Sequence, residues 1–207
     1  MIQKLFFAFL ILITPACGLL QAGGTGAPEP QSFSFNGVKL IHPSIMDGST
    51  GSTMQQDVYS ITGSSRLLLR FEDLLSNAGT ISINNKVFAN ITLASVADVN
   101  TAKTSFMVCP VTMNWMMLAT WYKAYPMGSS GVWKSEGGDF DSSGCVTAGA
   151  VAGTQTLQFD VTSWVVNYVI GRGLNYGLIL YSNSSSAIAI DGDNNGSYSP
   201  RITWLKN

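Results

Sequence analysis

Charge is scarce in this chain. Lys and Arg number 11 and Asp and Glu 12, together 11% of 207 residues, against about 25% in an ordinary soluble protein. No basic run occurs. Phosphate binding needs clustered Lys and Arg, so the composition argues against nucleic acid as a partner. Disorder is excluded as well, because it requires high net charge and few aromatics, and aromatics here make up 11%. Histidine is reduced to His42, which leaves very little material for a His-based metal site or a Ser-His-Asp triad. No Ser stands in a G-x-S-x-G context, no Gly-rich phosphate loop is present, and no Cys/His cluster has zinc spacing. These absences weigh against catalysis, and the expected protein is not an enzyme. His42, before Pro43, reads as a strand-end residue.

Long apolar runs are also missing beyond the first residues. Leu5–Ile13 is unbroken, follows Lys4, and is closed by Thr14-Pro15-Ala16-Cys17. It is too short to span a bilayer, which takes about 20 apolar residues, and it suits the core of a signal peptide. The small residue before Cys17 resembles a bacterial lipoprotein cleavage box. That likeness implies a lipid on Cys17, a membrane anchor, and a place at the outer membrane or cell surface. An ordinary secretory cut nearby is the other reading, and leaves a secreted protein. Residues 18–32 (GLLQAGGTGAPEPQS) carry no period and read as a flexible linker.

What remains, residues 33–207, has ample material for one core, with 46% hydrophobic residues over the chain. Its pattern is strand, turn, strand. Phe33 and Phe35 alternate with serines, and Val38–His42 is a short apolar run. Arg66–Phe71 (RLLLRF) reads as a buried strand. Thr80–Ile83 and Lys86–Val96 alternate around the polar pair Asn84-Asn85, a candidate tight turn, and Ser105–Val111 follows. Leu157–Val161, Leu178–Tyr181, Ala187–Ile190 and Arg201–Leu205 close the series. Short strands bounded by Gly, Asn, Asp and Ser predict an all-β sandwich or barrel. One helix is expected near 162–170, with Trp164, Val165, Tyr168 and Val169 on one face. Thr162 or Ser163 would cap its start and Gly171 its end, with Asp160 facing the positive end of its dipole.

Three blocks carry a family resemblance: Arg66-Leu-Leu-Leu-Arg-Phe71; Trp115…Thr120-Trp121 with Trp133 and Gly137-Gly-Asp-Phe-Asp141; and Phe159-Asp-Val-Thr162…Gly171…Asn175-Tyr-Gly-Leu178…Pro200-Arg201. In this order and spacing the chain resembles the DNRLRE-type domain, related to the family 96 carbohydrate-binding modules. Met117 stands where that family carries Glu. The resemblance implies a jelly-roll-like antiparallel β-sandwich on surface or secreted proteins, beside polysaccharide-degrading or adhesive domains.

The expected function is a non-catalytic surface module that binds polysaccharide or another surface glycan. A structural surface lipoprotein or adhesion module without glycan binding is the alternative, and a polysaccharide-acting enzyme stands behind both. Aromatic rings pack on the apolar face of a pyranose while polar rims fix its orientation. Trp115 and Trp121 read as core. Tyr122, Tyr125 and Trp133, in a loop-like stretch, are the candidate sugar contacts, with simple loop packing as the other reading. Asp139 and Asp141 supply carboxylates either to calcium or to a turn plugged by Phe140. Asp191, Asp193 and Asn195 follow the first half of a calcium loop, but Ile202 replaces its closing Glu, and a hairpin turn explains them equally. No other cofactor is expected. Arg66 and Arg70 would bind acidic sugars, or pair with Glu72, Asp73, Asp160 or backbone carbonyls. With Cys17 lipidated, Cys109 and Cys145 remain as an even pair in an exported protein, and a disulfide between them is expected.

Overall fold

A computed structural model of the chain describes residues 30–34, 37–41, 58–70, 74, 81–94, 104–125, 131–149, 155–191 and 200–205. The expected signal peptide, Cys17 and most of the linker lie outside them.

The described residues form an antiparallel β-sandwich. One sheet has five strands in the order β2 (Gly37–Ile41), β4 (Arg66–Arg70), β9 (Leu178–Ser182), β6 (Ser105–Pro110) and β7 (Val146–Gly149). The other has four, β1 (Pro30–Ser34), β11 (Arg201–Leu205), β5 (Val87–Thr92) and β8 (Thr156–Asp160). A two-stranded ladder of β3 (Val58–Ile61) and β10 (Ile188–Asp191) joins the end of β5 through a Leu93–Ile190 bridge. Every ladder is antiparallel. β1 starts at Pro30, so the last three residues of the expected linker belong to a strand. Proline is tolerated there because it opens an edge strand and owes no ladder donor.

Alternation explains the four-stranded sheet. In β5, Val87, Ala89 and Ile91 are buried and Phe88, Asn90 and Thr92 are partly exposed; in β8, Leu157 and Phe159 are buried between exposed neighbours. The five-stranded sheet differs. Leu67, Leu68 and Leu69 of β4, and Leu178, Ile179 and Leu180 of β9, are all fully buried. Strands read as unbroken apolar runs when both faces of their sheet are covered. Here Leu67, Leu69, Leu178 and Leu180 point into the inter-sheet core, with Phe106, Val108 and the inner residues of β5 and β8. Leu68 and Ile179 point the other way, into a second core with Cys109, Trp115, Ala124 and Trp133.

The second core belongs to a 35-residue excursion between β6 and β7. It leaves at Pro110, crosses the outer face of the five-stranded sheet, and returns at Cys145. A disulfide joins Cys109 to Cys145 across its root, with Cα atoms 4.1 Å apart, as expected from the cysteine count. Above the disulfide, Asp141 N–H donates to Pro110 C=O at 2.9 Å, and Thr112 N–H to Asp139 C=O at 2.9 Å.

The expected helix is α1 (Thr162–Val169). Val165 is buried, and Trp164, Tyr168 and Val169 pack against the inter-sheet core. Its end is a Schellman motif: Arg172 N–H donates to Asn167 C=O and Gly171 N–H to Tyr168 C=O, with Gly171 at φ +72°. Its start departs from expectation. Val161 is the cap, and neither Thr162 nor Ser163 bonds the first turn. Thr162 Oγ1 instead exchanges hydrogen bonds with the backbone of Val87, and Asp160 accepts from Thr162 N–H at 3.0 Å.

The strand predicted over Thr80–Ile83 is absent over residues 81–83, and Thr80 lies outside the described residues. Ser82–Asn85 is a turn, in which Asn85 N–H reaches Ser82 C=O and Asn84 N–H reaches Ser82 Oγ at 3.3 Å. These local side-chain bonds outcompete an extended ladder.

Candidate functional site

The two arginines of β4 act on the excursion. Residues 66, 68 and 70 share the outer face of the strand. Arg66 Nη1 donates to Gly137 C=O at 2.7 Å, and its guanidinium lies 5.0 Å from the Trp121 ring centroid, 5.4 Å from Phe140 and 5.6 Å from Tyr181. Burial pushes the Arg66 pKa below its ordinary value while Tyr181 pulls it up; the group stays charged at any physiological pH. Arg70 sits 4.5 Å over the Trp115 ring and donates to Trp115 C=O and to Asn114 Oδ1. Backbone carbonyls, one of the expected partners, accept from both arginines; Glu72 and Asp73 lie outside the described residues. Asp160 pairs with Lys86 instead, at 3.1 Å.

The Gly137–Asp141 block is a turn. Gly137 at φ +83° is wedged so closely that a Cβ would strike the Trp121 ring and the Arg66 guanidinium. Asp139 is buried and accepts from the N–H groups of Lys134 and Ser135, both at 2.9 Å. Asp141 caps a 3₁₀ turn at Ser142–Gly144. Phe140 packs on the second core and on Tyr181, with ring centroids 5.8 Å apart.

The three expected sugar contacts separate. Tyr122 and Tyr125 are half-buried and keep accessible surface. Trp133 is only 4% exposed, and its indole N–H donates to Thr120 C=O at 2.9 Å. A ring with both faces packed offers none to a pyranose, so Trp133 leaves the contact set and joins the core. Trp121, expected as core, is half-buried and stacks on Arg66. Of the calcium-loop residues, Asp191 ends β10 opposite Val58; Asp193 and Asn195 lie outside the described residues. Among the described residues no three of His, Cys, Asp and Glu gather closely enough to hold a metal ion.

A cleft that the sequence did not disclose lies on the other side of the excursion root. It has a volume of about 370 Å³, at the lower end of the ~300–1,000 Å³ usual for ligand sites. One wall is Pro110–Thr112 with Asp141 and Gly144; the other is α1 and the segment after it. Trp164 and Tyr176 are half-buried in its lining, beside the exposed side chains of Ser163, Asn167, Arg172 and Leu174. A recess of about 160 Å³ continues it over the disulfide and shares Pro110, Gly144, Ser163 and Trp164.

Each wall is held from behind. Tyr176 C=O accepts from the Trp115 indole N–H at 2.7 Å, and Val111 N–H donates to Gly177 C=O at 3.0 Å. Gly177, at φ +87°, passes so near the Leu69 carbonyl that no Cβ fits. The Asn175-Tyr-Gly-Leu178 block thus fixes the floor of the cleft against both β4 and the excursion.

No family model matches this chain, and no curated protein matches it. The likeness to the DNRLRE-type domain therefore rests on the three blocks alone. The fold gives those blocks a shared physical task. β4 supplies the arginines, the Trp115–Asp141 block covers them, and the Phe159–Leu178 block builds α1 and the cleft. The cleft residues escaped the sequence reading because Trp164 was absorbed by the helical period and Tyr176 by the family block. The available signal was the run Arg172–Tyr176, polar and glycine-broken, directly after a helix with an aromatic first turn.

Proposed function

We propose that this is a non-catalytic module of the DNRLRE type that binds polysaccharide at the cell surface, and that its site is the cleft between α1 and the excursion root. The cleft carries this reading: two partly exposed aromatic rings, Trp164 and Tyr176, stand among amide, hydroxyl and charged side chains. Rings supply the apolar face that a pyranose stacks on, and the polar rim fixes its hydroxyls. Both walls are tied to the fold by backbone hydrogen bonds, so little ordering cost opposes binding. The test is a glycan array with the full chain, followed by variants. Asn167→Ala with Leu174→Ala, both exposed, should weaken binding at least tenfold without lowering the melting temperature, whereas Tyr122→Ala with Tyr125→Ala should leave it near parent level. The reverse pattern would move the site to the tyrosine surface. No binding by the parent to any glycan would sink the reading.

In the same proposal a lipid on Cys17 holds the domain to the membrane through the linker. Several acyl chains at about 0.8 kcal/mol per buried CH₂ suffice for a stable anchor. Cys17→Ser should release the protein from membranes, and intact mass of the parent should show the added acyl chains; unchanged membrane association of the variant would refute the anchor. The burial of Trp133 favours a second reading, a structural spacer, because it removes one of three rings from the expected platform.

A further inference from the structure

One property of the cleft goes unused by a neutral sugar. Two unlike charges line it without neutralising each other. Asp141 and Arg172 are both exposed and both face the cleft. Among the described residues they form no ion pair with one another, and no hydrogen bond engages the Arg172 guanidinium. Asp141 Oδ1 accepts from Ser143 N–H at 2.9 Å and Ser143 Oγ–H at 2.6 Å, and the Gly144 N–H adds a weaker attraction to the carboxylate; among the described residues no donor makes a full hydrogen bond to Oδ2. The Ser143 hydroxyl and then its N–H hold this carboxyl below the usual carboxylate range, so it is ionised at neutral pH. In a chain where 11% of residues are charged, an unpaired acid and an unpaired base on one cleft set its polarity.

We infer that the cleft takes a zwitterionic glycan, a chain with an ammonium on an amino sugar and a carboxylate on a neighbouring uronic acid, the ammonium on Asp141 and the carboxylate on Arg172. The inference rests on the glycan reading and narrows it to a ligand class. A planar guanidinium offers a carboxylate two parallel donors, and the open Oδ2 of Asp141 accepts from an ammonium. Chains of one charge sign meet a like charge on one wall. A neutral chain replaces the water of both ions with hydroxyls alone, which are weaker partners than an opposite charge. Only the mixed chain satisfies both walls, and repulsion of the single-sign chains gives selectivity as much as attraction does. Trp164 and Tyr176, which line the same cleft, meet the sugar faces.

Four hexasaccharide probes separate the possibilities in calorimetric titrations of the full chain in mild detergent. They are heparosan, which is anionic; de-N-acetylated heparosan, which is zwitterionic; chitohexaose, the glucosamine hexamer, which is cationic; and hexa-N-acetylchitohexaose, which is neutral. The de-N-acetylated heparosan should bind about tenfold or more tighter than each of the others. Arg172→Gln and Asp141→Asn should each abolish that preference. The asparagine keeps an Oδ1 to cap the 3₁₀ turn, so an unchanged melting temperature separates lost charge from lost fold. Equal affinity for the four probes, tightest binding of a single-sign or neutral probe, or a preference that survives both substitutions overturns the inference while the glycan reading stands. Absence of binding to these probes together with binding to uncharged chains on a wider array does the same. Absence of binding to every glycan overturns both.

Discussion

A pair of tryptophans shows how little residue type says about role. Trp121 and Trp133 are twelve residues apart in one polar stretch, yet the first stacks on a guanidinium at the surface and the second is sealed with its indole N–H on Thr120 C=O. The difference comes from what surrounds each ring in space. Arg66, brought from β4, meets Trp121; Leu68 and Ile179, from the same sheet, gather with Trp133. Trp133→Ala should therefore cost about 3–5 kcal/mol, the sum of lost burial and the cavity left behind. Tyr122→Ala, at a half-buried ring, should cost no more than about 1 kcal/mol. Urea denaturation of the two variants decides this; similar losses would mean that the second core does not depend on Trp133.

At the scale of the element, α1 offers a clean measurement. A Cβ at Gly171 would meet nothing within 4 Å, and the residue has φ +72°. Substitution there tests conformation alone. Gly171→Ala should cost about 1–2 kcal/mol, and Gly171→Asn less, because asparagine visits the left-handed region more readily. A valine should be worst. If alanine proves neutral, the helix end is not held in the Schellman geometry. Elements were also where the sequence was most readable. RLLLRF, the Leu157–Val161 alternation, the helix face and Arg201–Leu205 all lie where they were expected, within a residue or two. Each owes its form to burial that its own side chains impose. The strands β3 and β7 were not foreseen. Their four residues, Val-Tyr-Ser-Ile and Val-Thr-Ala-Gly, are extended because a neighbouring strand supplies the ladder. Hydrogen bonding to a distant partner leaves no periodic trace in four residues. The cleft was illegible for the same kind of reason. Its walls come from Pro110–Thr112, Asp141–Gly144 and the chain after α1, and only the folded sheet brings them together. The disulfide, by contrast, could be foretold by counting.

For the molecule as a whole, the disulfide at the root of the excursion divides the structure into two bodies of unequal security. The inter-sheet core draws on strands spread along the chain, whereas the second core depends on the excursion lying flat on one sheet face. Closing a loop across a sequence separation of 36 residues stabilises by about 4 kcal/mol in the chain-entropy account, less if the native geometry is strained. Reduction, or Cys109→Ala with Cys145→Ala, should lower stability by up to that amount. Hydrogen exchange should show where: amides of Trp115–Asp141 should lose protection first, with β4, β5 and β9 still protected. Uniform loss of protection across both cores would show that they open as one unit. The cleft shares its wall with this root, so the reduced protein should also lose ligand affinity before it unfolds.

The pairing of β1 with β11 bears on how the protein takes a load. β1 is an edge strand with one neighbour, and its first residue, Pro30, lies opposite Leu205 near the other end of the described chain. Forces pulling these two points apart act at one end of an antiparallel ladder and open it a bond pair at a time, as a zipper opens. They do not shear all its bonds together. Pulled in this direction, the domain would shed β1 at low force and pay out chain, with the five-stranded sheet, the disulfide and the cleft left whole. Edge placement of β1 thus makes it a mechanical fuse, giving way before the rest of the sandwich.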